Sequence, residues 1–195
     1  MHRQGYSHVA GVDEVGCGCW AGPVFAGAVI LPLGVHLSHV RDSKLLSTSQ
    51  RERLSEKIMH KAVAWAIGLA SENEIDTLNI RRASGLAMQR AVTALTIQPE
   101  AVLSDAFVVP SLDVPCKNVI RGDQMIVSVA AASIIAKVAR DAYMKKMALL
   151  YPVYGFETHK GYGTRQHQEA LTVHGACPIH RQSYRPVAIR VSSRG

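Results

Sequence analysis

No apolar run in this 195-residue chain approaches the roughly 18–20 residues needed to cross a bilayer. The longest, 22–32, has the length of a buried strand. Residues 1–16 lack the charged, apolar, then small order of a secretory signal, which argues against export. There is no internal repeat, and no Ser/Gly stretch long enough to separate one domain from another. Cysteine is scarce, with four at positions 17, 19, 116 and 177. Cys17 and Cys19 are too close for an ordinary disulfide on extended backbone, and no second CxxC offers zinc spacing. The expectation is four reduced thiols in a cytoplasmic chain. Hydrophobic residues make up 48 % and charged residues 19 %, which excludes a disordered tail and allows a real core. Lys and Arg outnumber Asp and Glu by 22 to 15, for a net charge of +7. That excess suits a polyanionic partner, without by itself choosing nucleic acid.

The pattern along the chain alternates strands and helices. Residues 6–13 and 22–31 read as strands, with glycines at 11, 16, 18 and 22 forcing a turn or bulge around 14–21. Residues 47–62 open with STSQRERL, a capping sequence for an amphipathic helix. Residues 63–70 read as a third strand, 79–95 as a helix by apolar spacing, and 101–105 as a short buried strand. Residues 127–150 form the strongest helix, so rich in Ala and Ser at its start that another element must pack closely on it. A Gly-, Tyr- and His-rich stretch (151–164) and a last helix at 165–174 follow. The Pro- and Arg-rich tail from Gly175 is expected to run along the surface. The class is α/β with a mixed sheet.

Asp13 and Glu14 sit together at the end of a strand, before a glycine-rich bend that lets both approach one site. Asp105 ends the apolar run AVLSD, and Asp123 precedes the Ala-rich helix. Each alone could be a solvated carboxylate, and Asp123 alone a helix cap. Together they differ: two end β-type runs, where α/β sheets place their ligand crevice. Carboxylates crowded together repel unless a cation neutralises them, and oxygen-only ligands suit Mg²⁺ or Mn²⁺. In a basic chain, that points to phosphodiester chemistry through metal-activated water. The nine histidines are scattered, and none is assigned to metal.

The segments GVDEVG, AGPVFAGAVIL, RDSKLLS, EIDTLNI, GDQMIVSVAAASIIAKVARDAYM and HKGYGTRQH, in this order, resemble ribonuclease HII, the bacterial type 2 ribonuclease H. The resemblance implies a ribonuclease H-like fold, a central mixed β-sheet flanked by helices with a small helical C-terminal segment. It implies a single catalytic domain over 1–195, with 151–195 as a substrate-binding appendage. The implied activity is cleavage of the RNA strand of RNA–DNA hybrids and incision beside single ribonucleotides in duplex DNA, leaving 3′-hydroxyl and 5′-phosphate ends. The implied enzyme is a cytoplasmic monomer, without membrane attachment, that uses Mn²⁺ or Mg²⁺. Its metal-binding acids fall on Asp13, Glu14, Asp105 and Asp123. Asp141 competes for the fourth place, but lies well along the helix that Asp123 is expected to begin. We therefore read Asp141 as an ion-pair partner of Arg140 or Lys145. Tyr162 falls on the family's tyrosine that stacks at the RNA-to-DNA junction, and Lys44 and Asn79 on positions contacting phosphates.

Where the family has Gly-Arg-Gly to frame the ribonucleotide, this chain has Gly16-Cys17-Gly18. The glycines keep the backbone permissive, while the lost guanidinium bears on affinity. The family's Asp-Gly is here Asp105-Ala106. Two other readings follow from these departures: a hybrid-binding protein with weakened catalysis, and a DNA nuclease of the ribonuclease H-like superfamily. The intact acids argue against the first. The HKGYGT tyrosine argues against the second, because only a 2′-hydroxyl reader needs it.

Overall fold

The computed structural model describes residues 1, 5–40, 45–105 and 108–192. Strands β1 (Val9–Val15), β2 (Val24–Ile30) and β3 (Ala64–Ala70) make an antiparallel meander. β4 (Ala101–Asp105) pairs parallel to β1, and β5 (Cys116–Val119) parallel to β4. The sheet order is therefore β3-β2-β1-β4-β5, mixed as the sequence predicts. Helices are α1 (Thr48–Lys61), α2 (Glu72–Leu78), α3 (Ile80–Thr93), α4 (Gly122–Met125), α5 (Val127–Leu150), α6 (Phe156–His159), α7 (Arg165–His174) and α8 (Arg185–Ser192). A 3₁₀ turn spans Pro152–Tyr154. Among the described residues, no helix is long and apolar enough to cross a membrane.

Strand alternation divides the core into two faces. Ala10, Val12, Ala26, Ala28 and Ile30 pack with Ala83, Ala87 and Ala91 of α3. Val29 packs on the other face with Ile58 of α1 and Ala131, Ala132 and Ile135 of α5. The alanine-rich start of α5 has the close partner that its small side chains predict. A Cβ placed on Gly11 would stand 2.2 Å from the Ser128 backbone carbon, and one on Gly27 2.3 Å from the Ala132 carbonyl oxygen. The helix backbone rests directly on the sheet, beside the end of β1 that carries Asp13.

Local chemistry accounts for the helix starts. Ser47 and Gln50 form a reciprocal capping box at α1, and Ser71 and Glu74 another at α2. Asn79 caps α3 through Oδ1, which accepts from the Arg82 N–H at 3.2 Å.

Two expectations are corrected. Asp123 does not begin the long helix. It lies in α4, and extended backbone at Ile126 (φ −118°, ψ 118°) separates α4 from α5. The segment from Gly175 does not merely run along the surface. It forms α8, and Ile179, His180 and Arg181 are buried. Arginine and proline content misleads here because the Arg181 guanidinium is solvated by backbone carbonyls instead of water.

A third cluster joins Met144 and Ala148 of α5 to Tyr154, Phe156, Leu171 and Ile179. Within it, two histidines bond in series and a third stacks on one of them. The Cys177 N–H donates to His180 Nδ1 at 2.9 Å, which fixes His180 Nε2 as the protonated nitrogen. Nε2 then donates to His167 Nε2 at 3.0 Å, and His167 Nδ1 donates to the Tyr162 carbonyl at 2.9 Å. His159 stacks on His167, with ring centroids 4.6 Å apart. Burial pushes His167 and His180 down to about 4, and His159 also below its ordinary value. Between pH 6.5 and 4 the unfolded chain binds protons that these rings refuse. Their contribution to stability is therefore present near neutrality and falls with pH, on the order of 2–5 kcal/mol for the pair. Imidazole NMR signals of both rings should stay in the neutral form below pH 5. Titration of either near 6.5 would contradict this account.

Candidate active site

A cleft of about 460 Å³ opens where β1 and β4 end, next to α5. Asp13, Glu14, Asp105 and Asp123 line it, together with Gly16, Cys17, Gly18 and Tyr162. The two carboxylate-bearing strands are neighbours and parallel, so their ends lie side by side. β1 continues to Val15, and the bend follows at Gly16, whose φ is +100°. No room exists there for a side chain, since a Cβ would meet Arg140 Nε at 2.2 Å.

Asp13 is buried, and its carboxyl is held well above the usual range, first by burial and then by Glu14 and Asp105. The Glu14 N–H donates to Asp13 Oδ1 at 2.9 Å, and a bond to Ser133 also favours the ionised form. Burial raises Glu14 too, with Asp105 adding to it. Asp105 Oδ1 accepts from the Gly122 N–H at 3.0 Å, which ties the end of β4 to the start of α4. That bond, with the independent short helix, is what carries Asp123 to the cleft.

These residues fit a divalent cation. The donors are all oxygen, and Glu14 Oε2 is buried with no hydrogen-bond partner among the described residues. Burial first, and neighbouring carboxylates after it, hold Asp13 and Glu14 above the usual range, and a bound cation would favour their ionised forms. Of the two cations that line the cleft, Arg51 and Lys137, Lys137 bonds Asp141 at 2.8 Å. The acids line an open cleft: among the described residues no three His, Cys, Asp or Glu side chains close into a compact metal cage.

Asp141 is an ion-pair partner, as expected, but of Lys137 one turn earlier; Lys145 pairs with Glu52 instead. Arg140 is fully buried and bonds the carbonyls of Ala21, Pro23 and Lys160. Asn79 does not line the cleft, and its carbonyl oxygen is taken by the α3 cap. Lys44 and Ala106 lie outside the described residues. Sequence reasoning missed Arg51, Ser133 and Lys137, which also line the cleft. Ser133 and Lys137 are four apart on α5 and share a face, a pattern legible once the helix was assigned.

Cys17 packs inward. Its thiol lies 3.2 Å from Ser84 Oγ and donates to Glu14 Oε1 at 3.6 Å. Burial and the Glu14 charge push it up to about 11, so it is protonated and a poor nucleophile at neutral pH. Trp20, three residues on, packs on His167, ring centroids 5.5 Å apart. Cys17→Ala should therefore cleave within about threefold of wild type, since only a weak thiol bond is lost. Alkylation of Cys17 at pH 7.5 should be slow. Rapid alkylation that abolishes activity would contradict this.

A mixed sheet whose adjacent parallel strands carry carboxylates at or near their ends, beside a long helix and an acid-lined cleft, is the arrangement of a nuclease of the ribonuclease H-like class. The family model described as Ribonuclease HII matches residues 10–187. A ribonuclease HII of Desulfitobacterium hafniense (strain DSM 10664 / DCB-2) is 51 % identical over 183 residues, 94 % of this chain and 70 % of that protein. One of Nitrosococcus oceani is 54 % identical over 179 residues, covering 92 % of this chain and 89 % of the relative. The crystal structure of ribonuclease H2 from Pyrococcus horikoshii OT3 superposes with a TM-score of 0.80 at 26 % identity, over 95 % of this chain and 98 % of that one. The chain belongs to the ribonuclease HII family, metal-dependent endoribonucleases that cut the RNA strand of RNA–DNA hybrids.

Proposed function

We propose that this enzyme also incises duplex DNA at single ribonucleotides, with Asp13, Glu14, Asp105 and Asp123 holding Mn²⁺ or Mg²⁺. The observation that carries this is one cleft lined by those acids, by the Gly16-Cys17-Gly18 loop and by Tyr162. When bound, such ions supply Lewis acidity and lower the pKa of a water. The chain supplies the rest. Asp13 and Asp105 are fixed by the strands and by backbone donors, so they present charge without reorganising. The left-handed turn at Gly16 puts Gly16, Cys17 and Gly18 on the cleft wall, where their main chain can meet a 2′-hydroxyl. Tyr162 is 41 % exposed, leaving its ring face for a deoxyribose that follows the ribonucleotide. Lys137 stands 5.7 Å from that ring's centroid and can meet a phosphate at the same junction.

Products would carry 3′-hydroxyl and 5′-phosphate ends. Lys44 and Asn79 complete the proposal as phosphate contacts away from the acids, and the net charge of +7 suits the duplex. We take the enzyme to act as a cytoplasmic monomer. The test is one duplex carrying a single ribonucleotide beside an all-DNA duplex, with and without Mn²⁺. Incision of the first only, and only with metal, is expected. Cutting of both duplexes, or of neither, would refute the proposal.

A further inference from the structure

The cleft has two recognition elements from distant stretches of sequence, the 16–18 loop and the loop of Tyr162. Neither belongs to a regular element that could position it. Both are held by one short stretch near the C-terminal end, His180 to Tyr184.

Arg181 is fully buried, and among the described residues no carboxylate forms an ion pair with it. Its guanidinium is spent on carbonyl oxygens. Nη2 donates to Gly16 O at 2.8 Å and to Gly22 O at 2.8 Å, Nη1 to Cys17 O at 2.9 Å, and Nε to Gly22 O at 2.9 Å. Tyr184 doubles the hold: its hydroxyl donates to Cys17 O at 2.6 Å and accepts from Arg181 Nη1 at 3.0 Å. Occupying those carbonyls fixes the peptide planes of the loop, and hence the direction of its N–H groups. The neighbouring His180 reaches the other loop. It donates to His167, which donates to the Tyr162 carbonyl. The backbones also interlock. Arg181 N–H donates to Trp20 O at 2.9 Å, and Trp20 N–H to Gly161 O at 2.8 Å. The stretch itself is anchored by Asp76, whose carboxylate accepts from the N–H groups of Gln182 and Ser183.

A buried arginine with no carboxylate in direct contact, only the charge of Glu72 nearby, is costly, and hydrophobic packing would serve stability better. Its retention makes sense where a planar fork must hold several carbonyls in one arrangement. We propose that the His180–Tyr184 segment is a specificity brace, which sets the spacing between the Gly16-Cys17-Gly18 backbone and Tyr162 so that both engage one ribonucleotide and the deoxyribose after it. Arg181, Tyr184 and His180 are positioning residues in this scheme, because none of them lines the cleft. The inference rests on the assignment of those two loops as the readers of the 2′-hydroxyl and the junction.

Simultaneous engagement matters most for a lone ribonucleotide. In a continuous hybrid most cut positions are followed by RNA, so loop and Tyr162 are not both required at one step. The decisive quantity is therefore the ratio of kcat/KM on a single-ribonucleotide duplex to that on a continuous RNA–DNA hybrid. A loss of folded enzyme cancels in this ratio, so a merely structural role would leave it unchanged. Tyr184→Phe removes one hydroxyl and keeps the ring. It should lower the ratio about three- to tenfold, the effect of one hydrogen bond, with the melting temperature nearly retained. Arg181→Lys should lower it further, since a point charge cannot hold the carbonyls of Gly16, Cys17 and Gly22 together. An unchanged ratio in Tyr184→Phe, with wild type incising both substrates, would overturn the brace alone. If wild type cleaves the hybrid but not the single-ribonucleotide duplex, the reading of the two loops fails, and the brace with it.

Discussion

Asp105→Asn and Asp13→Asn are each expected to abolish cleavage, by at least about a thousandfold, while leaving the fold intact. Each removes a formal charge from the set that would hold the ions, and an amide is a poor ligand for a hard cation. The same changes should not destabilise the metal-free protein. Asp13 is raised by burial and by two neighbouring carboxylates. A carboxyl raised in this way contributes to stability at low pH, and loses that contribution as the pH rises through its folded value. At neutral pH its ionised form is a strain on the fold. Asp13→Asn should therefore keep or raise the melting temperature at pH 7.5 without metal. It should also flatten the decline of stability above the usual carboxylate range. Near-normal cleavage by either variant in saturating Mg²⁺ would remove that residue from the proposed metal site. A fall in melting temperature of several degrees for Asp13→Asn would remove the electrostatic account instead.

Gly11→Val should leave little folded protein. Even a single Cβ at this position would lie 2.2 Å and 2.3 Å from backbone atoms of Ser128 and Val129. No rotamer relieves a collision with main chain, so α5 would have to lift from β1. Overpacking a core costs about 1–3 kcal/mol when side chains can yield, and the cost here should reach about 4 kcal/mol or more. That is a large fraction of the roughly 5–15 kcal/mol by which a domain is stable. Because α5 also carries Ser133 and Lys137 to the cleft, any protein that folds should cleave poorly. Gly18→Ala is the control for stability, since a Cβ there meets nothing within 4 Å. Equal melting temperatures for Gly11→Val and Gly18→Ala would refute the close-packing argument.

Much of this was legible before any coordinates. The bounds of α5 and β4 follow from composition, because a long Ala-rich amphipathic run and a short apolar run bounded by turn residues each have one comfortable geometry. Ser47 announces α1 through its capping box. Asp13 and Asp105 could be paired in advance because strands that end in carboxylates converge at one edge of an α/β sheet. What escaped was whatever depends on partners distant in sequence. β5 reads CKNV, largely polar, and is a strand only because β4 supplies a parallel neighbour. α2 was not assigned from the sequence, although Ser71 and Glu74 form the same kind of box as at α1. The break at Ile126 has no proline or glycine to mark it; it arises where α4, tied to Asp105 through Gly122, must diverge from a helix seated on β1. Arg181 was the hardest to foresee. Its partners are carbonyl oxygens, which every residue possesses, so no side-chain pattern in the sequence records them.

The bonds from Arg181 and Tyr184 to the 16–22 loop also set an order of events during synthesis. They join positions separated by 159 to 167 residues, against a parallel β1–β4 pairing that needs little more than the first half of the chain. A nascent chain can assemble its sheet and bring Asp13 beside Asp105 while the ribosome is still at work, because domains begin to form from the N-terminal side. The 16–22 loop, proposed to read the sugar, is tied by Arg181 and Tyr184 only later. Closure over so long a span is slow, and it has to wait for the last stretch of polypeptide to emerge. Asp13 and Asp105 can thus be in place before the 16–22 loop is held, and on the proposed reading of that loop selectivity would be the last property to form.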